Sequence, residues 1–263
     1  MTVSCPGLIC QQSRSRPVRR AAHALLLAGL MLALAGCASG PQANPVDPLE
    51  PFNQSVFRLN DALDTALVKP VATLYRDRTP TRVRQGIGNV FSNLEDVWSA
   101  VNSALQLNGR ALTDNVTRVV FNTLVGVGGV VDVASEMDIE RHTKDFGHTL
   151  GFWGVPTGPY LVLPLFGPST LRDTVALPLD WQGDLVRQIP YVPGRNAATL
   201  LRGVDTRSSL LKATTMLEEV ALDRYTFTRD AFLQRRRNDI FGGYPPEEDA
   251  PTQPEVPDKK APP

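Results

Sequence analysis

Beyond residue 37 the sequence has no cysteine, and its only histidines there are His142 and His148. A chain so poor in thiols carries neither a disulfide framework nor a thiolate zinc centre. The two histidines flank Lys144 and Asp145, a spacing that matches no metal motif such as H-E-x-x-H. There is no G-x-S-x-G elbow, because Ser169 follows a proline in Gly167-Pro168-Ser169-Thr170. Gly126-Val127-Gly128-Gly129 lacks the lysine of a phosphate loop and the spacing of a dinucleotide fingerprint. Arg172-Asp173 and Asp230 read more simply as structural ion pairs than as catalysts. The sequence therefore offers no catalytic residue, no metal ligand set and no cofactor site, and the expectation is a protein that is not an enzyme.

An excess of positive charge is also missing. The 263 residues hold 27 Lys+Arg against 27 Asp+Glu. Four of those basic residues, Arg14, Arg16, Arg19 and Arg20, precede Cys37, where no acid stands, which leaves 23 basic against 27 acidic groups. A mildly acidic chain is a poor nucleic-acid binder, since that affinity comes mainly from cations neutralising phosphates. What is present is globular composition, with 42% hydrophobic and 21% charged residues.

The amino terminus reads as an address. Four arginines are followed by a nearly pure Ala/Leu run from Ala21 to Ala35, too short for a ~30 Å hydrocarbon core at about 1.5 Å per residue. Leu34-Ala35-Gly36-Cys37 resembles the bacterial lipobox, in which the cysteine thiol receives a diacylglycerol. This predicts a signal peptide over 1–36, lipidation at Cys37 and a polar tether over 37–45. Several buried acyl chains, at about 0.8 kcal/mol per methylene, hold such a protein firmly on a membrane. Ala38 stands where an aspartate usually retains lipoproteins in the inner membrane, so the expected address is the periplasmic face of a Gram-negative outer membrane. Residues 242–263 hold seven prolines and five acids and are expected to be disordered.

Between these ends, residues 46–241 are expected to form one mainly α domain with no substantial sheet. Val56, Leu59, Leu63 and Leu67 form an apolar stripe stopped at Lys69-Pro70. Val83, Ile87, Val90, Leu94, Val97, Val101 and Leu105 form a longer one. A third helix is predicted from about Arg110 to Val125, another around Leu200 to Ala221, and a last one from Tyr225 to Ile240. Two stretches break the helical rhythm, the Val/Gly-rich Val119 to Ala134 and the Gly/Pro/aromatic-rich Lys144 to Asp173. Five glycines and four prolines exclude helix over most of the second.

Asp47-Pro48-Leu49-Glu50-Pro51-Phe52-Asn53 resembles the opening signature of the MlaA (VacJ) lipoproteins. The likeness runs on through Phe121-Asn122-Thr123, Gly126-Val127-Gly128-Gly129 with Asp132, Asp145-Phe146-Gly147, Thr149-Leu150-Gly151, Gly158-Pro159-Tyr160, Arg172-Asp173 and Asp205-Thr206-Arg207. Pro51 and Gln54 depart from the glycine and arginine common at those positions. The resemblance implies a ring of amphipathic helices in the inner leaflet around a central channel. Through it, phospholipids that have strayed into the outer leaflet would pass to a periplasmic carrier, MlaC, with trimeric porins as outer-membrane partners. The residues it implicates in the motif and the lipid passage are Asp47, Pro48, Glu50, Phe52, Asn53, Asn122, Gly126, Gly128, Gly129, Asp132, Gly147, Gly151, Gly158, Pro159, Tyr160, Arg172 and Asp173. Taken singly, the glycines also fit ordinary turns, and Asp47, Glu50 and Asn53 fit a helix cap. Two other classes stay open on the residues alone: a periplasmic lipid hydrolase built on His142, His148 and Asp145, and a structural tether or assembly lipoprotein.

Overall fold

The computed structural model describes residues 47–243. The expected signal peptide, the lipidated Cys37, the tether and almost all of the Pro-rich tail lie outside the described residues. The chain divides into two units, 1–50 and 51–263. Of the first, Asp47 to Leu49 form a turn in which the Glu50 amide donates to the Asp47 carbonyl at 3.2 Å.

The larger unit is built from helices. In chain order they are α1 (Glu50–Leu63), α2 (Lys69–Arg78), α3 (Thr81–Leu105), α4 (Gly109–Leu124), α5 (Val133–Glu136), α6 (Phe146–Phe152), α7 (Leu171–Gly183), α8 (Val192–Val220) and α9 (Arg224–Ile240). One antiparallel hairpin, β1 (Tyr160–Leu163) with β2 (Gly167–Thr170), pairs Tyr160 with Thr170 and Leu163 with Gly167. Between α1 and α2 the chain winds through one π turn, Asp64–Val68, closed by the Lys69 amide on the Asp64 carbonyl. Pro70 explains it. Its missing N–H and its ring cannot be accommodated by a regular α turn, and the wider turn absorbs both.

Periodicity locates α1, α3, α4, α8 and α9 but not α7, nor α2, which begins at the expected stop Lys69-Pro70, and the buried faces of α3 and α4 are not the apolar ones. In α3 the expected stripe is partly or largely exposed at Val83, Val101 and Leu105, while Asn93, Asp96, Ser99, Asn102 and Ser103 are buried. In α4 the buried residues are Ala111, Asn115, Arg118 and Asn122. The two helices meet along this polar seam. Asn108 caps α4 by accepting from the Ala111 amide, a cap contributing about 1 kcal/mol.

A small apolar core forms elsewhere. Val56, Tyr160, Val162 and Tyr225 are buried together, flanked by Phe57, Phe232 and Leu233. Tyr225 meets Phe57 edge-on at 5.6 Å between ring centroids and Tyr160 at 6.3 Å. The open edge of β1 is covered by α1. Asn53 donates to the Tyr160 carbonyl (3.0 Å) and accepts from the Val162 amide (2.8 Å). Two helical turns on, Asn60 repeats the arrangement with the Leu163 carbonyl and the Leu165 amide, both at 2.9 Å. Two carboxamides on one helix face thus do the work of a missing strand.

The segment 144–173 is more regular than its glycines and prolines suggest. Seven of its residues form α6, because Asp145 and His148 make a reciprocal capping box that satisfies the first amides. The rest is turn and hairpin until α7 starts behind Thr170, whose side chain accepts from the Asp173 amide.

Candidate functional site

Helices α3 and α8, the π turn and the carboxyl end of α7 surround a cavity of about 1550 Å³. Along α3 it is lined by Thr81, Arg84, Gly88, Ser92, Glu95 and Trp98, spaced three and four apart on one face. That face runs about 25 Å at 1.5 Å per residue. Facing it on α8 are Thr199, Arg202, Asp205, Arg207 and Ser208.

The lining is amphipathic: Leu63, Phe91, Leu94, Phe166 and Leu177 share it with many charged side chains, most of which are clasped. Arg207 holds Asp64 through Nε and Nη2, both at 2.7 Å. Arg202 holds Asp184 at 3.0 and 2.6 Å, and Arg224 holds Asp61 at 2.8 and 3.4 Å. Arg141 reaches Asp96 (2.6 Å) and Glu95 (3.0 Å), and the Arg187 guanidinium lies 4.6 Å from the Trp181 ring centroid. The bond to Asp64 keeps Arg207 above the ordinary guanidinium range. Burial, together with a 2.9 Å bond to Asp205, pushes the Tyr75 phenol up to about 12. Asp180 accepts from the Trp98 indole and the Phe146 amide, both at 2.8 Å, yet burial still raises its carboxyl above the usual range. Burial also lowers the Lys144 ammonium, against the pull of Asp239 and Asp145.

Of the motif residues noted in the sequence, Asp145, Asp205, Thr206 and Arg207 line this cavity, whereas those named for the lipid passage lie around it. Asp47, Pro48 and Glu50 form the turn into α1. Phe52 is exposed, and Asn53 and Tyr160 tie α1 to the hairpin. Asn122 and Asp132 belong to a lock around buried Arg118. Arg118 reaches Asp132 at 2.9 and 3.0 Å, Asp96 at 3.4 Å and the Ile139 carbonyl at 2.7 Å, while Asn122 donates to Asp132 and accepts from the Ala134 amide. Gly126, Gly128 and Gly129 make the turn over that lock. Gly129, with φ of 88°, lies where a Cβ would stand 2.9 Å from the Asn93 amide nitrogen. Gly147 and Gly151 let α6 approach Asp173, Arg236 and Arg172, and Gly158 with Pro159 precedes the hairpin. Arg172 and Asp173 are buried, with Asp173 held by Arg236 at 2.9 Å.

The histidines do not meet in one site. His142 Nε2 bonds Asp114 at 3.0 Å, while His148 stands between Asp145 and Arg236 as part of the cap. The cavity-lining residues that the sequence reading passed over carry one available signal. Arg84, Gly88, Ser92 and Glu95 recur at helical spacing on the face opposite the apolar stripe of α3.

Comparison with known proteins adds ancestry to this geometry. The family model of the MlaA lipoprotein matches residues 45–239. The "Intermembrane phospholipid transport system lipoprotein MlaA" of Escherichia coli (strain K12) is 35% identical over 216 residues, covering 80% of this chain and 85% of the relative. The Haemophilus influenzae protein of the same name is 28% identical over 229 residues, with 81% and 88% covered. A solved structure, from work on the structural basis for maintenance of bacterial outer membrane lipid asymmetry, matches with a TM-score of 0.65 at 34% identity, covering 74% of this chain and 98% of that one. Its helices, its small hairpin and these matches over most of its length agree: the chain belongs to the MlaA lipoprotein family.

Proposed function

We propose that this chain is the outer-membrane lipoprotein of an intermembrane phospholipid transport system. It takes mislocalised phospholipids from the outer leaflet through its cavity and hands them to a periplasmic carrier of the MlaC kind. In this reading residues 1–36 are removed, Cys37 is acylated, 37–45 tether the body to the membrane, 46–241 form it, and 242–263 extend from it. Trimeric porins are its expected outer-membrane partners, and no covalent chemistry takes place.

The observation that carries this reading is an inverted distribution of polarity. Among the described residues, the buried polar and charged side chains outnumber the buried apolar ones, while large apolar side chains cover the outside: Leu124 is 78% exposed, Val175 67% and Leu200 71%. Exposed apolar surface in quantity marks a face that meets a membrane or a partner. No described helix is long and apolar enough to cross a membrane. Helices with one apolar face lie instead along a leaflet. A charged head group at bilayer depth costs several kcal/mol, which the charged groups of an amphipathic cavity offset while the acyl chains stay beside apolar surface. His142 and His148, engaged with different carboxylates, give the hydrolase reading no shared site.

Deleting the gene in its native host tests the proposal. Surface-labelled phospholipid in the outer leaflet is expected to rise, with greater sensitivity to detergent plus chelator. Unchanged surface phospholipid in a clean deletion would refute it, and porin co-purification without a lipid phenotype would favour a tether instead. The Cys37→Ala variant is expected to leave the outer-membrane fraction.

A further inference from the structure

The cavity's arginines are not equivalent. Arg141, Arg187, Arg202, Arg207 and Arg224 each have a carboxylate within 4 Å. Lys144 has none that close among the described residues, but its ammonium donates to the Asp239 carbonyl at 2.5 Å, in the field of Asp239 and Asp145. Arg84 differs from all of them. Half-buried on the cavity face of α3, it donates through Nε to the Thr79 carbonyl at 3.3 Å. Its two Nη groups have neither a hydrogen-bond acceptor nor a carboxylate partner among the described residues. One turn further along α3, a Cβ on Gly88 would stand 3.3 Å from Asp205 Oδ2, and that carboxylate is bonded to the neutral Tyr75 hydroxyl.

A guanidinium with both terminal nitrogens open presents a planar fork of donors that fits the oxygens of a phosphate. Where neighbouring arginines are neutralised by their own carboxylates, the one without such a partner is where an anion gains most. We infer that Arg84 is the side chain that engages the phosphodiester of the lipid in the cavity, through its two Nη groups. The inference rests on the transport reading above and assigns its phosphate contact.

The test uses the full-length lipoprotein in detergent and two fluorescent-tailed probes with identical acyl chains, phosphatidylethanolamine and diacylglycerol. The unaltered protein should retain the phosphate-bearing probe preferentially. Arg84→Gln should weaken retention of that probe about tenfold, as expected for loss of one charge-assisted contact, and leave diacylglycerol unaffected. Arg84→Lys should keep most of the preference, and Arg82→Gln, exposed one helix position outside the lining, all of it. Full retention by Arg84→Gln overturns the assignment while leaving the transport reading intact. Loss of both probes in Arg84→Gln and Arg84→Lys alike also overturns it, since the residue would then be propping the wall. Equal retention of both probes by the unaltered protein overturns it together with the transport reading. Millimolar inorganic phosphate should not displace the lipid. If it protects the protein while the two probes bind equally, the site is one for free phosphate and the lipid assignment fails.

Discussion

Buried charge in this protein is tolerated because each ion has several partners. Arg118 is 2% exposed and reaches Asp96, Asp132, Ser135 and the Ile139 carbonyl. Removing one member of such a set strands the others, at a cost of about 3–5 kcal/mol. Arg118→Ala is therefore expected to lower the unfolding midpoint sharply in detergent-solubilised protein monitored by circular dichroism, whereas Arg110→Ala, largely exposed, should leave it nearly unchanged. Asp145 gives the same logic a pH dependence. Burial opposes its charge, but the His148 bond and Arg236, at 2.6 and 3.1 Å, outweigh that and hold its carboxyl well below the usual range. A carboxylate with a depressed folded-state value contributes stability that is present above the unfolded value near pH 4 and is lost as pH falls below it. Denaturant titrations should thus show stability decreasing from pH 4 downward, with a shallower decrease in Arg236→Gln. An identical slope in both proteins would contradict the role given to this pair.

At the scale of elements, side chains stand in for backbone wherever an edge or a break would otherwise be left open. Asn53 and Asn60 cover β1, and of the two Asn53 is fully buried. Asn53→Ala should therefore destabilise more, by about 2–3 kcal/mol against about 1 kcal/mol for Asn60→Ala, in the same unfolding assay. Gly183 makes a comparable demand at the end of α7, where a Cβ would come within 2.1 Å of the Trp98 ring. Gly183→Ala should displace Trp98, break its bond to Asp180 and shift the indole emission; an unshifted spectrum would contradict this. Most helix positions were legible in the sequence, as α4, expected over 110–125, runs Gly109–Leu124; α2 and α7 were not, and the chain passes the expected stop at Lys69-Pro70 through a π turn into α2. The short α6 was not legible, because glycine content argues against helix and only the Asp145–His148 cap overrides it. The cavity was not legible either. Arg84, Ser92 and Glu95 on the polar side of an amphipathic helix have the pattern of a solvated face, and only the folded chain turns that face inward. Family motifs such as Asn122, Asp132 and Gly129 drew notice as residues of the motif and passage; in the fold they form the lock around Arg118 and the turn beside Asn93.

Across the molecule, the physical claim is one of inversion. Faces of α3 and α8 that carry polar and charged side chains enclose an amphipathic space, and apolar side chains that periodicity assigns to a core, such as Val83, Val101 and Leu105, are exposed instead, where the proposed function has them face lipid. The lone cysteine position beyond residue 36 makes this testable with introduced thiols. Ser92→Cys and Ser209→Cys on the cavity wall, and Val120→Cys and Val175→Cys on the outside, should be prepared singly in the membrane-embedded protein. The account predicts that a charged, membrane-impermeant maleimide labels the two cavity positions, while the outer two escape it and are quenched by spin labels on lipid tails. Rapid aqueous labelling of the outer valines together with inert cavity serines would contradict it.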